Sequence, residues 1–246
     1  MGNRHLLFLS SLMGLLSMMV PAARADAIKL SITVDNSYAI YYGTQTAATT
    51  FVGSNFDWTN TEVYNFNLPN NSYLYIVTVS DGAVAQGFLS QFENLTQNYK
   101  FYSQDSQWQV MATGLRDPSK TNYGAPYPGS AADLSLLTNE ILDANGGGNP
   151  SNGWVSTTPG PSNGAAPWGF RPNIDAAARW VWYGTDADGD PTQPGNNNDE
   201  WLVFRIAFAA TPVPVPSGVI LFGAGFALVG LMQLRKVRAS RKAAVS

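Results

Sequence analysis

The sequence predicts an all-β fold: an antiparallel β-sandwich or jelly roll with long loops and one short helix. Three observations lead there. Apolar residues alternate with polar ones over short runs, the period of a strand with one buried face. Clusters of Gly, Pro, Asn and Asp interrupt these runs at short intervals. Only 13% of the 246 residues are charged, about half the usual share, while 12% are aromatic.

The elements follow in chain order. Leu30, Ile32 and Val34 alternate with polar neighbours and define a first strand. Asp35-Asn36-Ser37 is a turn signal, and residues 38–42 form a second strand closed by Gly43. After a polar loop, residues 51–58 read as a third. Val63, Phe66 and Leu68 lead to the turn Pro69-Asn70-Asn71. Residues 73–79 are a β-branched and aromatic run, hence a central strand, turned by Asp81-Gly82. Residues 88–92, 99–102 and 108–112 supply three more. Residues 113–176 are broken by Asp117-Pro118, Tyr127-Pro128-Gly129, Gly146-Gly147-Gly148 and Thr158-Pro159-Gly160-Pro161, and read as long ordered loops. They carry one helix over 133–144, with Leu134, Leu137 and Ile141 on one face and Asp133 as an acidic cap. Residues 178–183 and 201–208 complete the set, joined by an acidic, Asn-rich loop. Trp180 and Trp182 are expected to share one strand face, with Trp201 opposite on the partner strand.

The two chain ends read as addresses. Arg4 and His5 precede an apolar stretch over 6–20, Pro21 breaks it, and Ala23-Arg24-Ala25 offers small residues where a signal peptidase needs them. Residues 1–25 are therefore expected to be a secretory signal, leaving a single extracellular domain over 26–210. That body carries seven Lys and Arg against all 17 Asp and Glu, a balance of −10, although the whole chain sums to −3. An acidic body argues against nucleic-acid partners, which need cations along the phosphates.

Residues 211–246 have three parts. Pro212, Pro214 and Pro216 alternate with Val213 and Val215 in an extended run. An apolar segment over 219–234 follows, with Gly223, Gly225 and Gly230, and then Arg235, Lys236, Arg238, Arg241 and Lys242. As a helix that segment is ~24 Å long, close to the ~30 Å hydrocarbon core once basic residues snorkel. This order resembles a PEP-CTERM sorting signal, here with Val215 in place of the family's central Glu. The resemblance implies a transient inner-membrane anchor, read near Pro216 by an exosortase-type transpeptidase of an exopolysaccharide-producing Gram-negative bacterium. Release to the cell surface or biofilm matrix would follow. A plain membrane anchor is the other reading.

The body carries a second resemblance. The succession of residues 34–43, Asp57-Trp58, residues 63–66, residues 85–89 and residues 178–182 is similar to galactose-binding-like accessory modules. That implies a sandwich that binds sugars or other surfaces.

The chemistry open to the mature chain is narrow. His5 is the only histidine and leaves with the signal, and there is no Cys. This excludes Ser-His-Asp and Cys-His nucleophiles, imidazole bases and the N/S ligands of zinc, copper and haem. Gly146-Gly147-Gly148 lacks the Lys-Ser/Thr of a phosphate loop. Carboxylate pairs for glycoside hydrolysis remain open among 17 acids, but no pair stands out. Asp186, Asp188, Asp190 and Asp199 could converge oxygens on Ca²⁺, although their spacing is not that of an EF-hand; a solvated acidic loop is the alternative.

Tyr123, Tyr127, Trp154 and Trp168 lie in Gly/Pro-rich loops and are the aromatic candidates for stacking on sugar. The expectation is a non-catalytic surface protein associated with exopolysaccharide or another glycan. A self-assembling structural subunit and a divergent Asp/Glu glycosidase are the alternatives.

Overall fold

Alternation decides which way each strand faces. In β1 (Ala25–Asp35), Ile28, Leu30, Ile32 and Val34 all enter one apolar core, as the period-two pattern requires. The computed structural model describes residues 25–81, 84–116, 131–147, 153–184 and 200–208. All of them lie in the first of the two units into which the chain divides, Met1–Ala209 and Ala210–Ser246.

The remaining elements are β2 (Ser37–Thr44), β3 (Ala47–Asn55), β4 (Glu62–Pro69), β5 (Tyr73–Val79), β6 (Gly87–Asn94), β7 (Tyr99–Tyr102) and β8 (Gln109–Arg116). Helix α1 (Ala131–Asn145), β9 (Val155–Ser156), β10 (Thr158–Ser162), β11 (Arg179–Trp182) and β12 (Glu200–Ala207) follow. They form two six-stranded antiparallel sheets. The first runs β10-β11-β6-β1-β4, with β7 also paired to β6, and the second runs β3-β2-β5-β12-β8-β9. Between the sheets lies an aromatic-rich core in which Phe88 packs on Trp108 and Phe204 at ring separations of 5.3 and 5.0 Å. Such pairs add about 0.5–1.5 kcal/mol each beyond burial of their area.

Both outer faces are covered too. Leu137, Ile141 and Ala144 of α1 sit on Tyr41, Tyr75, Val77 and Val203 of the second sheet. Over the first sheet, Trp168, Ile174 and Ala178 of the β10–β11 connection pack on Leu89 and Trp180. Gly87 is required beneath this cover, because a Cβ there would lie 2.7 Å from the Trp180 ring.

The all-β class, the two antiparallel sheets and the one helix among the described residues agree with the sequence reading, and three details differ. First, β3 begins at Ala47, inside the expected polar loop, and stops before Trp58. It is an edge strand whose first half, Ala47 to Thr50, is two alanines and two threonines, so that half lacks an apolar signal. Second, residues 155–162 hold β9 and β10 despite Pro159 and Pro161. β10 is also an edge, where a missing N–H costs no ladder bond. Third, Trp180 and Trp182 do not share an environment. Trp180 belongs to the outer cluster and Trp182 to the inter-sheet core, against Phe204. Nor are β11 and β12 partners, since they lie in different sheets and Trp201 packs beneath α1.

No helix among the described residues is long and apolar enough to cross a membrane. Of the expected leader over 1–25 only Ala25 is described; the rest of it, the proline motif (Pro212, Pro214, Val215, Pro216), the span over 219–234 and the basic residues Arg235, Lys236 and Arg238 all lie outside the described residues.

Candidate functional site

One end of the sandwich gathers three of the connections that pass between the sheets. β1 passes to β2 through Asn36 alone, β3 to β4 through residues 56–61, and β5 to β6 through residues 80–86. The register puts the end of β8 and the start of β12 at the same end, because Glu200 pairs with Arg116 and Leu202 with Thr78.

The polar frame of this end starts at Asp35, which is 7% exposed. Its Oδ2 accepts a hydrogen bond from Trp168 Nε1 at 2.8 Å. Burial pushes its carboxyl up to about 6; the nearby Asp81 raises it further, while the Trp168 bond and Arg171 oppose the shift. Asn36 ties the sheets together: its N–H donates to the Val79 carbonyl at 3.0 Å and its Oδ1 accepts from the Asp81 N–H at 2.7 Å.

Arg171 fastens the loops to each other. Its guanidinium lies 5.2 Å from the Trp58 ring centre and donates through Nη1 to the Thr59 carbonyl at 2.5 Å and the Trp58 carbonyl at 3.3 Å. Nη2 donates to the Trp168 carbonyl. Asn163 then holds the rest of the cover, accepting from the Arg171 N–H at 2.7 Å and donating to the carbonyls of Arg171 and Ile174 at 3.0 and 2.9 Å. Irregular backbone can be buried only where such side chains satisfy it.

On this frame stand exposed apolar side chains. Phe56 is 71% exposed just before Asp57-Trp58, Phe170 is 61% exposed just before Arg171, and Val84 is 68% exposed on the β5–β6 connection. On the Phe56 loop, Asp57 accepts from the Thr59 hydroxyl, from Asn60 Nδ2 at 2.6 Å and from the Thr59 N–H at 3.0 Å, which holds its carboxyl below the usual range. The arrangement offers flat apolar surface beside fixed oxygens and amides. Asp35 has the raised pKa of a general acid, but it is buried and engaged by Trp168.

The sequence candidates fall differently. Trp168 is 3% exposed and stacked on Trp180 at 4.0 Å, so its ring is a brace and not a platform. Trp154 lies at the far end of α1, half-buried, with the Arg205 guanidinium 3.8 Å from its ring centre. It shares no site with Trp168. Tyr123, Tyr127, Asp186, Asp188, Asp190 and Asp199 lie outside the described residues. Among the described residues, no three carboxylates or histidines are grouped to hold a metal. Phe56, Phe170 and Arg171 escaped the sequence reading. Their only signal was position, beside Trp58 and Trp168 in breaker-rich stretches. Comparison with protein-family models, curated proteins and solved structures gives no match to this chain.

Proposed function

We propose that this chain is an exported surface protein that binds carbohydrate without catalysis through the Asp35 end of its sandwich, in the manner of galactose-binding-like jelly-roll modules. We further propose that it is delivered to the cell surface or matrix by exosortase-type processing. One observation carries the binding role: Phe56 and Phe170 stand exposed on loops that Arg171 fastens together. Solvent-facing phenyl rings held on fixed loops offer apolar surface that a partner can cover. The apolar face of a sugar ring fits them, and Asp57, Thr59 and Asn60 are placed to meet its hydroxyls.

Sorting rests on the sequence of residues 211–246, with cleavage near Pro216 removing the apolar segment and basic tail. Asp26, the expected first residue of the mature chain, accepts from Asn94 Nδ2 at 2.7 Å, which would anchor a chain that begins at that residue.

Two measurements test the reading. A glycan array probed with the released protein should give hits that are lost in a Phe56→Ala/Phe170→Ala variant; an array without hits refutes the binding role. Intact mass of the exported protein should place its C-terminus near Pro216, and a product that still carries Lys242 refutes the sorting.

A further inference from the structure

Among the described residues, four of the five strands that border the sheets are protected from pairing with another chain. β3 is bulged twice against β2, and its Ala48 carbonyl accepts from Thr138 of α1 at 3.4 Å. β10 contains two prolines and a bulge. β9 has two residues, and β7 has four, with Lys100 among them. β4 has none of these guards. It pairs with β1 over eight consecutive residues without a bulge, and from Val63 to Leu68 it contains no Pro and no charge. Such an edge is a template for strand addition.

The register shows which groups are free. The Leu95 N–H donates to the Ala27 carbonyl at 2.8 Å, so the odd residues of β1 direct their backbone groups toward β6 and the even ones toward β4. The β4 partners of even residues are Glu62, Tyr64, Phe66 and Leu68. Val63, Asn65 and Asn67 therefore point N–H and C=O away from the sheet, and all three are exposed. Pro69 ends the row.

We propose that β4 is a self-association edge and that its occupant is the β4 of a second copy, antiparallel and centred on Asn65. Only residues with outward backbone groups can exchange ladder bonds, and this arrangement matches all three: Asn65 with its counterpart, and Val63 with Asn67 in both directions. Tyr64 of each copy then lies directly opposite Phe66 of the other in a non-hydrogen-bonded pair. The row is its own complement under a two-fold axis, which singles out a second copy, and local charge does not oppose it. The body carries a balance of −10 and repels itself over most of its surface, yet the seam from Val63 to Pro69 is uncharged. Glu62, the one acid in β4, is held by Asn55 Nδ2 at 2.7 Å at the strand's start. Two first sheets would then join into one continuous sheet.

The absence of Cys makes the test clean. In the full chain, Asn65→Cys places two thiols across the two-fold axis at a Cα separation of ~5.5 Å, within disulfide reach. A mild oxidant should convert this variant to a disulfide-linked dimer. Asn67→Cys puts its thiols about 13 Å apart along the seam and should link no faster than the exposed control Ser106→Cys. If Asn65→Cys matches the control, or Asn67→Cys links as fast as Asn65→Cys, the proposal is overturned. Sedimentation of the unmodified full chain should show a dimer that Asn65→Lys converts to monomer. A monomer at ~100 μM, well above what a six-bond seam requires, would overturn it equally.

Discussion

Two arginines each lie over a tryptophan ring, and they serve different ends. At the foot of α1, Arg205 lies 3.8 Å from the Trp154 ring centre and donates to Gln109 Oε1 at 2.9 Å and Asn145 Oδ1 at 2.8 Å. Trp154 Nε1 donates to the same Asn145 oxygen at 2.9 Å. That junction closes on itself and locks the helix to its sheet. At the other end Arg171 lies over Trp58, but its bonds go to the main-chain carbonyls of three residues on two loops. Beside it sits a buried carboxylate that would be more stable protonated, and around it stand exposed phenyl rings. The sealed junction stabilises. The open one holds a destabilised group and apolar surface in place, the pattern expected where recognition and not stability sets the residues.

The comparison can be broken from either side, and the largest effect is expected at Arg171. Arg171→Met strands the buried Trp168 carbonyl, removes the donor to the part-buried carbonyls of Trp58 and Thr59, and leaves Asp35 without its opposing cation. We expect a loss of about 3–4 kcal/mol in denaturant unfolding.

Asp35 comes next, and its sign is unusual. Its folded pKa, about 6, lies above the ordinary value of 3.8, so between those values the folded state binds more protons than the unfolded one. Its contribution is present in full below pH 4 and is lost as pH rises through 6, by about 2–3 kcal/mol. Asp35→Asn keeps an acceptor for Trp168 Nε1 and removes the titration. The variant should gain stability relative to the unmodified protein as pH rises from 4 to 7, and a constant difference across that range would refute the assignment.

Arg205→Met should cost less, about 2 kcal/mol, because Trp154 and Asn145 still satisfy each other. The smallest effect belongs to Phe170→Ala, within about 0.5 kcal/mol, since the ring is solvent-facing.

How much of this was legible in the sequence depends on how many faces of an element are buried. β1 and α1 declared themselves because one face is apolar and the other polar, whereas in β4 Val63 stands on the exposed face with Asn65 and Asn67 and not with Phe66 and Leu68. β11 did not. Trp180, Val181 and Trp182 are all buried, and a strand covered on both sides carries no alternation to say which cluster each ring joins. β10 was hidden by its prolines, which forbid a central strand but not an edge.

The site was harder still. Asp35 reads as a turn residue, and only the fold brings Trp168, 133 positions later, against it. Trp168 read as a loop aromatic free to meet a ligand, because sequence shows that a ring lies among prolines and glycines but not whether the loop folds back over a sheet. The exposed rings that remain, Phe56 and Phe170, carry no pattern that separates them from core phenylalanines.

The most direct test of the account is a calorimetric titration of the strongest glycan from the array into three proteins: unmodified, Phe170→Ala and Arg205→Met. The account predicts at least a tenfold loss of affinity in Phe170→Ala with its melting temperature unchanged, about 1.4 kcal/mol for one stacked ring. It predicts unchanged affinity in Arg205→Met despite its lower melting temperature. Full affinity in Phe170→Ala, or a loss in Arg205→Met alone, would contradict the assignment of recognition to the Asp35 end.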